Sequence, residues 1–235
     1  MCIRDSPKEM RAHPPEFTYS RLLEAAELSR HLGAQIMGLG AFTKVVGDAG
    51  VTVAKQAPLP VTTGNSYSAS GALWAAHEAL RRLGIAEVDG DGAIRGKAMV
   101  VGASGAIGSA CARLLALASD VLWLVSPATA KLLQLKQDIE HDHPRAIIHV
   151  ATDPSAALAE VDLIVTATSA AGQKVLDIMR VKPGCVITDV ARPLDMSAED
   201  IAKRPDVLVI ESGEVELPGD VRMKSIGLPD HVAYA

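Results

Sequence analysis

The segment 97–116 constrains the fold more strongly than any other part of this 235-residue chain. It reads KAMVVGASGAIGSACARLLA: a short apolar run ends at Gly102, and Gly105 and Gly108 follow at three-residue steps before an Ala- and Leu-rich helical pattern. Glycine is needed where a chain turns sharply, where its backbone approaches a ligand, or where a helix packs close to a sheet. The segment therefore predicts a strand, a tight turn and a helix.

Short apolar runs alternate with helical or short connecting segments along the rest of the chain. Such alternation is typical of parallel strands that are buried on both faces and joined by right-handed crossovers. We therefore predict an α/β fold with a doubly wound parallel sheet of about six strands, a Rossmann-type domain. The predicted strands are AMVVG, VLWLVS, AIIHV, VDLIVTAT, CVITDV and DVLVIE.

The chain before the Gly- and Asp-rich turn VDGDGAIRG follows a different pattern. A helix TYSRLLEAAELSRHLG, a short strand AQIMGLG, loops AFTKVVGDAG and LPVTTGNSYSAS, and a second helix SGALWAAHEALRRLG follow one another. We predict the remnant of a smaller α/β substrate domain at residues 7–90, followed by the Rossmann-type domain at residues 96–235. The unpatterned residues 1–6 are interpreted as non-native, and the abrupt end GLPDHVAYA suggests a fragment.

Composition and charge restrict the classes of function. The net charge of −5 and the 49% hydrophobic content indicate a globular protein without a basic surface for nucleic acid. No apolar run reaches the roughly 18 to 20 residues of a membrane span. Three cysteines without metal-like spacing indicate neither a disulfide framework nor a metal site. We expect a cytoplasmic protein without a metal, and the sequence leaves its oligomeric state open.

The glycine turn is the candidate cofactor site. A helix that begins directly after such a turn presents free backbone amides and its dipole to a phosphate group. An ordinary tight turn would carry the same glycines, but the position between a strand and a helix favours a dinucleotide. The predicted cofactor-binding residues here are Gly102, Ala103, Ser104, Gly105, Ala106, Ile107 and Gly108.

The end of the second predicted strand bears on which dinucleotide is bound. An NAD site usually has an Asp or Glu there, which binds the ribose hydroxyls. This chain has Ser126 and Pro127, with Lys131 one turn further on. Because no carboxylate would repel a 2′-phosphate, we predict NADPH and consider NADH the weaker ligand. The arginine usual in NADP sites is missing, and Lys131 could instead be a solvated helix lysine.

Two other segments carry candidate site residues. TATSA follows the fourth predicted strand at the sheet edge where a nicotinamide ribose passes, with Arg192 and Pro193 on the same rim. TTGNSYSA lies at a predicted strand-to-helix junction and could direct amides and hydroxyls at a substrate carbonyl, although helix capping by Thr63 or Asn65 is an alternative. The candidates are Ala167, Thr168 and Ser169 for the cofactor, Thr62, Thr63, Gly64 and Ser66 for the substrate, and Asn65 for catalysis.

Five blocks together resemble the long-chain acyl-[acyl-carrier-protein] reductases, which form fatty aldehydes, and their bacterial relatives. They are GLGAFTKVVGDAG, TTGNSYSASGA, VVGASGAIGSACARLLA, CVITDVARP and VIESGEVELPG. The resemblance runs from about residue 7 to the last residue. It implies NADPH-dependent reduction of a fatty acyl thioester, on acyl carrier protein or coenzyme A, through a cysteine acyl-enzyme. It places that cysteine just beyond Ala235, which implies that this fragment is inactive.

Two alternatives to acyl-thioester reduction stay open. One is an NAD(P) dehydrogenase of the shikimate or amino-acid type, which needs a Lys/Asp acid–base pair, and Lys44 is its weak candidate. The other is a non-catalytic NADP-binding domain. In the reductase hypothesis Lys44 would polarise the acyl group, although a loop lysine is more often simply solvated. Cys111 and Cys185 are predicted to be buried core residues rather than nucleophiles.

Overall fold

The structure, a computed structural model, describes residues 10, 12–40, 47–48, 50–85, 87–88, 93–170, 174–216, 219–220, 229 and 231–234. The chain divides into two compact units between Gly64 and Asn65. The predicted boundary near residues 90–96 followed the composition of the VDGDGAIRG turn, and the observed division lies about 30 residues earlier in the chain.

The first unit contains a parallel strand pair and two helices. Its elements are α1 (Pro15–His31), β1 (Met37–Leu39), α2 (Val51–Gln56) and β2 (Val61–Thr63). β1 pairs in parallel with β2, and Leu22, Leu39 and Val53 form a small buried core. The segment LPVTTGNSYSAS, predicted as a loop, instead contains β2 and the start of a helix. The β-branched residues at 61–63 favour a strand there.

A seven-stranded sheet forms the centre of the second unit. Its strands are β3 (Glu87–Val88), β4 (Ile94–Val101), β5 (Ser119–Val125), β6 (Ile147–Ala151), β7 (Leu163–Thr166), β8 (Val186–Asp189) and β9 (Leu208–Glu211). Six run parallel in the order β6-β5-β4-β7-β8-β9, and short β3 pairs antiparallel with the start of β4. This confirms the predicted doubly wound fold. The strand order reverses between β4 and β7, where such sheets open a ligand crevice.

Both faces of the sheet are buried. The first face packs against α3 (Asn65–Leu83), α4 (Ala106–Ala118) and α5 (Thr129–Asp142), and the second against short turns and α6 (Ala198–Ala202). Alternation along β4 shows this, because Ala98 and Val100 belong to the first core cluster while Met99 and Val101 belong to the second. A further antiparallel pair joins β10 (Glu214–Glu216) and β11 (Val232–Tyr234).

Helix α3 belongs to the second unit and not to the predicted substrate segment. Its residues Ala69, Ala72, Ala76 and Leu80 are fully buried in the first core cluster. Their spacing of three, four and four residues places them on one stripe of the helix. Burial of this stripe against the sheet explains why the division of the chain precedes α3 rather than following it.

We expect Leu80→Ala to lower the free energy of unfolding by about 2–5 kcal/mol, because it opens a cavity in the core of the second unit. Leu83→Ala in the same helix is the matched control: Leu83 is 56% exposed and Leu80 is fully buried. We expect the control to change the free energy by about 0.5 kcal/mol or less. Urea unfolding followed by tryptophan fluorescence measures both. Equal effects would show that α3 does not pack on this sheet.

Candidate functional site

The turn between β4 and α4 brings two of the predicted glycines into close backbone contact. Gly102 has φ +86°, in the left-handed region that favours glycine. A Cβ at Gly102 would lie 2.5 Å from the carbonyl oxygen of Ala167. A Cβ at Gly108 would overlap the carbonyl oxygen of Gly102. Both positions therefore exclude a side chain because of the fold itself.

Gly105 is constrained differently. It is the N-cap of α4, with extended backbone at φ −81° and ψ 168°, and it is exposed. A Cβ there would lie 3.3 Å from the Gly102 carbonyl oxygen, a tight contact that a small shift would relieve. A larger side chain at this position would extend over the start of α4. The missing side chain at Gly105 thus keeps access to the helix start open.

The start of α4 has the chemical features that suit an anion. The N-cap makes no side-chain hydrogen bond, and the first turn contains no acidic residue. The first amides of a helix have no acceptor within the helix, and the helix dipole adds positive potential there. The backbone at Ala106, Ile107 and Gly108 therefore suits a phosphate group.

A cavity of about 470 Å³ opens at the carboxyl edge of the sheet beside this turn. It extends from the glycine turn to the segment 167–170 that follows β7, which is the place where the strand order reverses. None of the described lining residues is ionisable. They are Val101, Gly102, Ser104, Gly105, Val125, Ser126, Pro127, Ala128, Thr152, Ala167, Thr168, Ser169, Ala170 and Val175.

Two hydroxyls occupy the wall where NAD sites usually carry a carboxylate. Ser126 is buried, and its Oγ lies 2.7 Å from the Oγ of Ser104. The amide of Ala128 donates to the Ser126 Oγ at 3.2 Å. Lys131 is exposed on α5 and lies outside the described lining of this cavity. The structure therefore brings Ser126, but not Lys131, to the predicted site.

A carboxylate that sequence reasoning missed fixes the opposite wall. The amide of Thr168 donates to Oδ2 of Asp195 at 3.1 Å, and the Thr168 hydroxyl donates to Oδ1 at 2.5 Å. The same hydroxyl accepts a hydrogen bond from the amide of Ala170 at 3.1 Å. Arg192 and Pro193 were predicted to lie on this rim, but Asp195, which follows them closely in the chain, was not singled out. The pairing across 27 positions has no signal in a single sequence.

Asp189, at the end of β8, is a second carboxylate that the sequence analysis did not single out. It is 1% exposed, and burial raises the pKa of its carboxyl above the usual range. The amide of Ala191 donates to its Oδ1 at 3.1 Å, and that of Met196 donates to its Oδ2 at 2.8 Å. Asp189 thus holds both ends of the loop formed by residues 190–196.

Arg192 of the 190–196 loop is directed at backbone and at the end of β9. Its Nη1 donates to the carbonyl of Ala191 at 2.9 Å, and its Nη2 donates to the carbonyl of Ser212. Its Nη2 also lies 3.3 Å from Oε1 of Glu211. These contacts give Arg192 a structural role in joining the loop to β9.

The predicted substrate residues follow one another along the chain across the division between the units. β2 ends at Thr63 and α3 begins at Asn65, so the expected strand-to-helix junction is present. Thr62, Thr63 and Gly64 belong to the first unit, and Asn65 and Ser66 to the second. Their roles stay predictions. Lys44 lies outside the described residues.

Cys111 and Cys185 are free and fully buried, in the first and second core clusters respectively. Burial raises the pKa of each thiol to about 12. Neither is a thiolate near neutral pH, so neither is an activated nucleophile. Within the described residues, no three His, Cys, Asp or Glu side chains cluster in a way that could hold a metal. No helix in the described part of the chain is long and apolar enough to cross a membrane.

Comparison with known proteins gives sequence relatives and solved structures. The chain is 31% identical over 194 residues to aminotransferase PigE of Serratia sp. (strain ATCC 39006), a match that covers 81% of this chain but only 22% of that relative. No family model matches the chain. Ornithine transcarbamoylase from Giardia lamblia matches with TM-score 0.54 and 14% identity, over 80% of this chain and 68% of that one.

Quinate dehydrogenase from Corynebacterium glutamicum, in complex with NAD, matches with TM-score 0.45 and 19% identity, over 60% of this chain and 50% of that one. At such identities a structural match shows the fold alone. The comparisons contradict membership of the long-chain acyl-[acyl-carrier-protein] reductase family, because the sequence relative that the chain matches is an aminotransferase. That prediction is wrong. A fold of this kind hosts many reactions, so short segments typical of it do not identify the reaction.

We expect Cys111 and Cys185 to stay unmodified when the folded chain meets iodoacetamide at pH 7.5, because alkylation needs an accessible thiolate. The urea-unfolded chain should be alkylated at both positions. Peptide mass spectrometry measures each site separately from Cys2. Rapid alkylation of Cys185 in the folded chain would instead reveal a reactive thiol and contradict the burial described here.

Proposed function

We propose that the second unit binds a nicotinamide dinucleotide and serves as the cofactor domain of an NAD(P)-dependent dehydrogenase. The observation that carries this proposal is the glycine turn and uncapped start of α4, placed where the strand order reverses and open to the 470 Å³ cavity. This arrangement suits a pyrophosphate, because backbone amides and a helix dipole neutralise its charge.

Different residues of the cavity would bind the different parts of the cofactor. The amides at the start of α4 would hold the pyrophosphate, and the hydroxyls of Ser104 and Ser126 would face the adenosine ribose. The segment 167–170 would form the wall beside the nicotinamide, with apolar Val175 helping to exclude water. The cofactor, when bound, supplies the hydride.

The serine pair, Ser104 and Ser126, supports a preference for NADPH over NADH. A carboxylate at the end of the second strand of such a domain binds the 2′-hydroxyl of NADH and repels the 2′-phosphate of NADPH. Here Ser126 stands in that place and its hydroxyl contacts Ser104 at 2.7 Å. The wall therefore accepts a phosphate without charge repulsion.

For the reaction, we favour a dehydrogenase of the shikimate or amino-acid type. Such a reaction needs an acid–base group but no cysteine, in keeping with the two buried thiols. A second candidate is a non-catalytic dinucleotide-binding domain, which is favoured by the absence of any ionisable side chain in the described cavity lining. Absorbance at 340 nm, followed with NADP⁺ against panels of hydroxy acids and amino acids, distinguishes the two. Turnover supports the dehydrogenase, and binding without turnover supports the second candidate.

We expect the chain to bind NADPH and Gly105→Val to abolish that binding while the chain stays folded. Binding should be lost because the valine side chain would cover the start of α4. Folding should be kept because the backbone at Gly105 is not left-handed and tolerates a side chain. Titration of nicotinamide fluorescence measures binding, and circular dichroism measures folding. Gly38→Val is the control, because a Cβ there meets open space. Undiminished binding by Gly105→Val would refute the proposed pyrophosphate position.

We expect Ser126→Asp to reverse the preference, with NADPH weakened about tenfold or more, a change of about 1.4 kcal/mol. The new carboxylate would repel the 2′-phosphate and accept hydrogen bonds from the ribose hydroxyls of NADH. Ser126→Ala removes the hydroxyl without adding charge, so it separates repulsion from loss of the hydrogen bond. The ratio of the two dissociation constants, determined at one ionic strength, is the measurement. An unchanged ratio in Ser126→Asp would place the adenosine elsewhere.

A further inference from the structure

We propose that Asp195 is a positioning residue for the nicotinamide end of the dinucleotide site and that it acts through Thr168. The inference rests on the proposed function, since it assigns a role within that same site. Asp195 is not among the residues that line the cavity, whereas Thr168 is. Its effect on a ligand would therefore be transmitted by the segment 167–170.

Both oxygens of Asp195 are used by one residue. Oδ2 accepts from the Thr168 amide at 3.1 Å, and Oδ1 accepts from the Thr168 hydroxyl at 2.5 Å. Hydrogen bonds to a charged acceptor are shorter and stronger than those between neutral groups. The pair therefore fixes both the backbone and the side-chain rotamer of Thr168.

Thr168 in turn holds the backbone of Ala170. Its hydroxyl oxygen accepts from the amide of Ala170 at 3.1 Å, so one side chain connects Asp195 with two backbone amides of the segment. The only proton of the hydroxyl is donated to Asp195 and is not free for a ligand. Thr168 thus shapes the wall, and its hydroxyl is not available as a hydrogen-bond donor to the cofactor.

The wall that Asp195 holds abuts the glycine turn. The amide of Ala167 donates to the carbonyl of Val101 at 2.9 Å, and the Ala167 carbonyl oxygen occupies the space that a Cβ at Gly102 would need. A displacement of Thr168 would move Ala167, its neighbour in the chain. The nicotinamide end of the cavity is closest to this displacement, while the serine pair lies at the other end of the site.

The loop that carries Asp195 is itself anchored. The carboxylate of Asp189 accepts from the amides of Ala191 and Met196, so residues on both sides of Asp195 are fixed to the end of β8. Asp189 is buried, and the Met196 side chain belongs to the second core cluster. Asp195 is therefore presented to Thr168 from a loop with defined ends rather than from a free surface segment.

Asp195→Asn tests the proposal, because it keeps the shape of the side chain but places an NH₂ group opposite one of the two donors of Thr168. We expect the dissociation constant for NADPH to rise about tenfold or more, in line with the loss of a hydrogen bond to a charged group. Binding of adenosine 2′,5′-bisphosphate, which has no nicotinamide half, should stay within about twofold of wild type. Isothermal titration calorimetry measures both ligands. Asp200→Asn is the matched control, since Asp200 is a carboxylate of α6 outside the cavity lining.

Thr168 variants decide the matter if Asp195→Asn fails to fold. Thr168→Ser keeps the hydroxyl and should bind NADPH like wild type, whereas Thr168→Val loses it and should show the selective loss of NADPH affinity. Equal weakening of both ligands, or no weakening of either, in Asp195→Asn or Thr168→Val would overturn the role of Asp195. If the wild-type chain binds neither ligand, the proposed function itself fails, and this outcome is distinct from the others.

Discussion

The close backbone approach of Gly102 to Ala167 is the constraint on which the carboxyl edge of the central sheet depends. It joins β4 to β7, the two strands between which the order of the sheet reverses. Gly102 also donates its amide to the carbonyl of Val125 at the end of β5, at 2.8 Å. Three strand ends therefore meet at one residue. A Cβ at this residue would overlap the Ala167 carbonyl and push two of these strand ends apart.

The described lining of the cavity contains polar groups with dipoles but no charged side chains. Its described lining contains backbone amides, five hydroxyls and apolar groups but no ionisable residue, and the two nearby carboxylates accept hydrogen bonds from backbone and threonine donors. Asp189 and Asp195 thus organise the rim without presenting a free negative charge to a phosphate. An acidic chain with net charge −5 thus keeps the described lining of this cavity without an ionisable side chain.

The central strands were predictable because both of their faces are buried, which leaves a continuous apolar run such as that of β7. The glycine turn was predictable because its steric requirement is local. The partner of α3 was not, since the stripe of Ala69, Ala72 and Ala76 shows that a face is buried but not against which element. Asp195 was missed because its role depends on a pairing 27 positions away. The predicted family was wrong because shared turns identify a fold more readily than a reaction.

The positions of the two buried cysteines affect how the second unit withstands oxidants. Cys111 lies in the core on one face of the sheet and Cys185 in the core on the other, so the sheet itself separates them. They cannot form a disulfide with one another without disruption of the strands. Peroxide first attacks an exposed thiolate to form a sulfenic acid, and neither thiol is exposed or ionised near neutral pH. The folded second unit therefore presents neither of these two thiols to an oxidant, so their oxidation requires that the core first open.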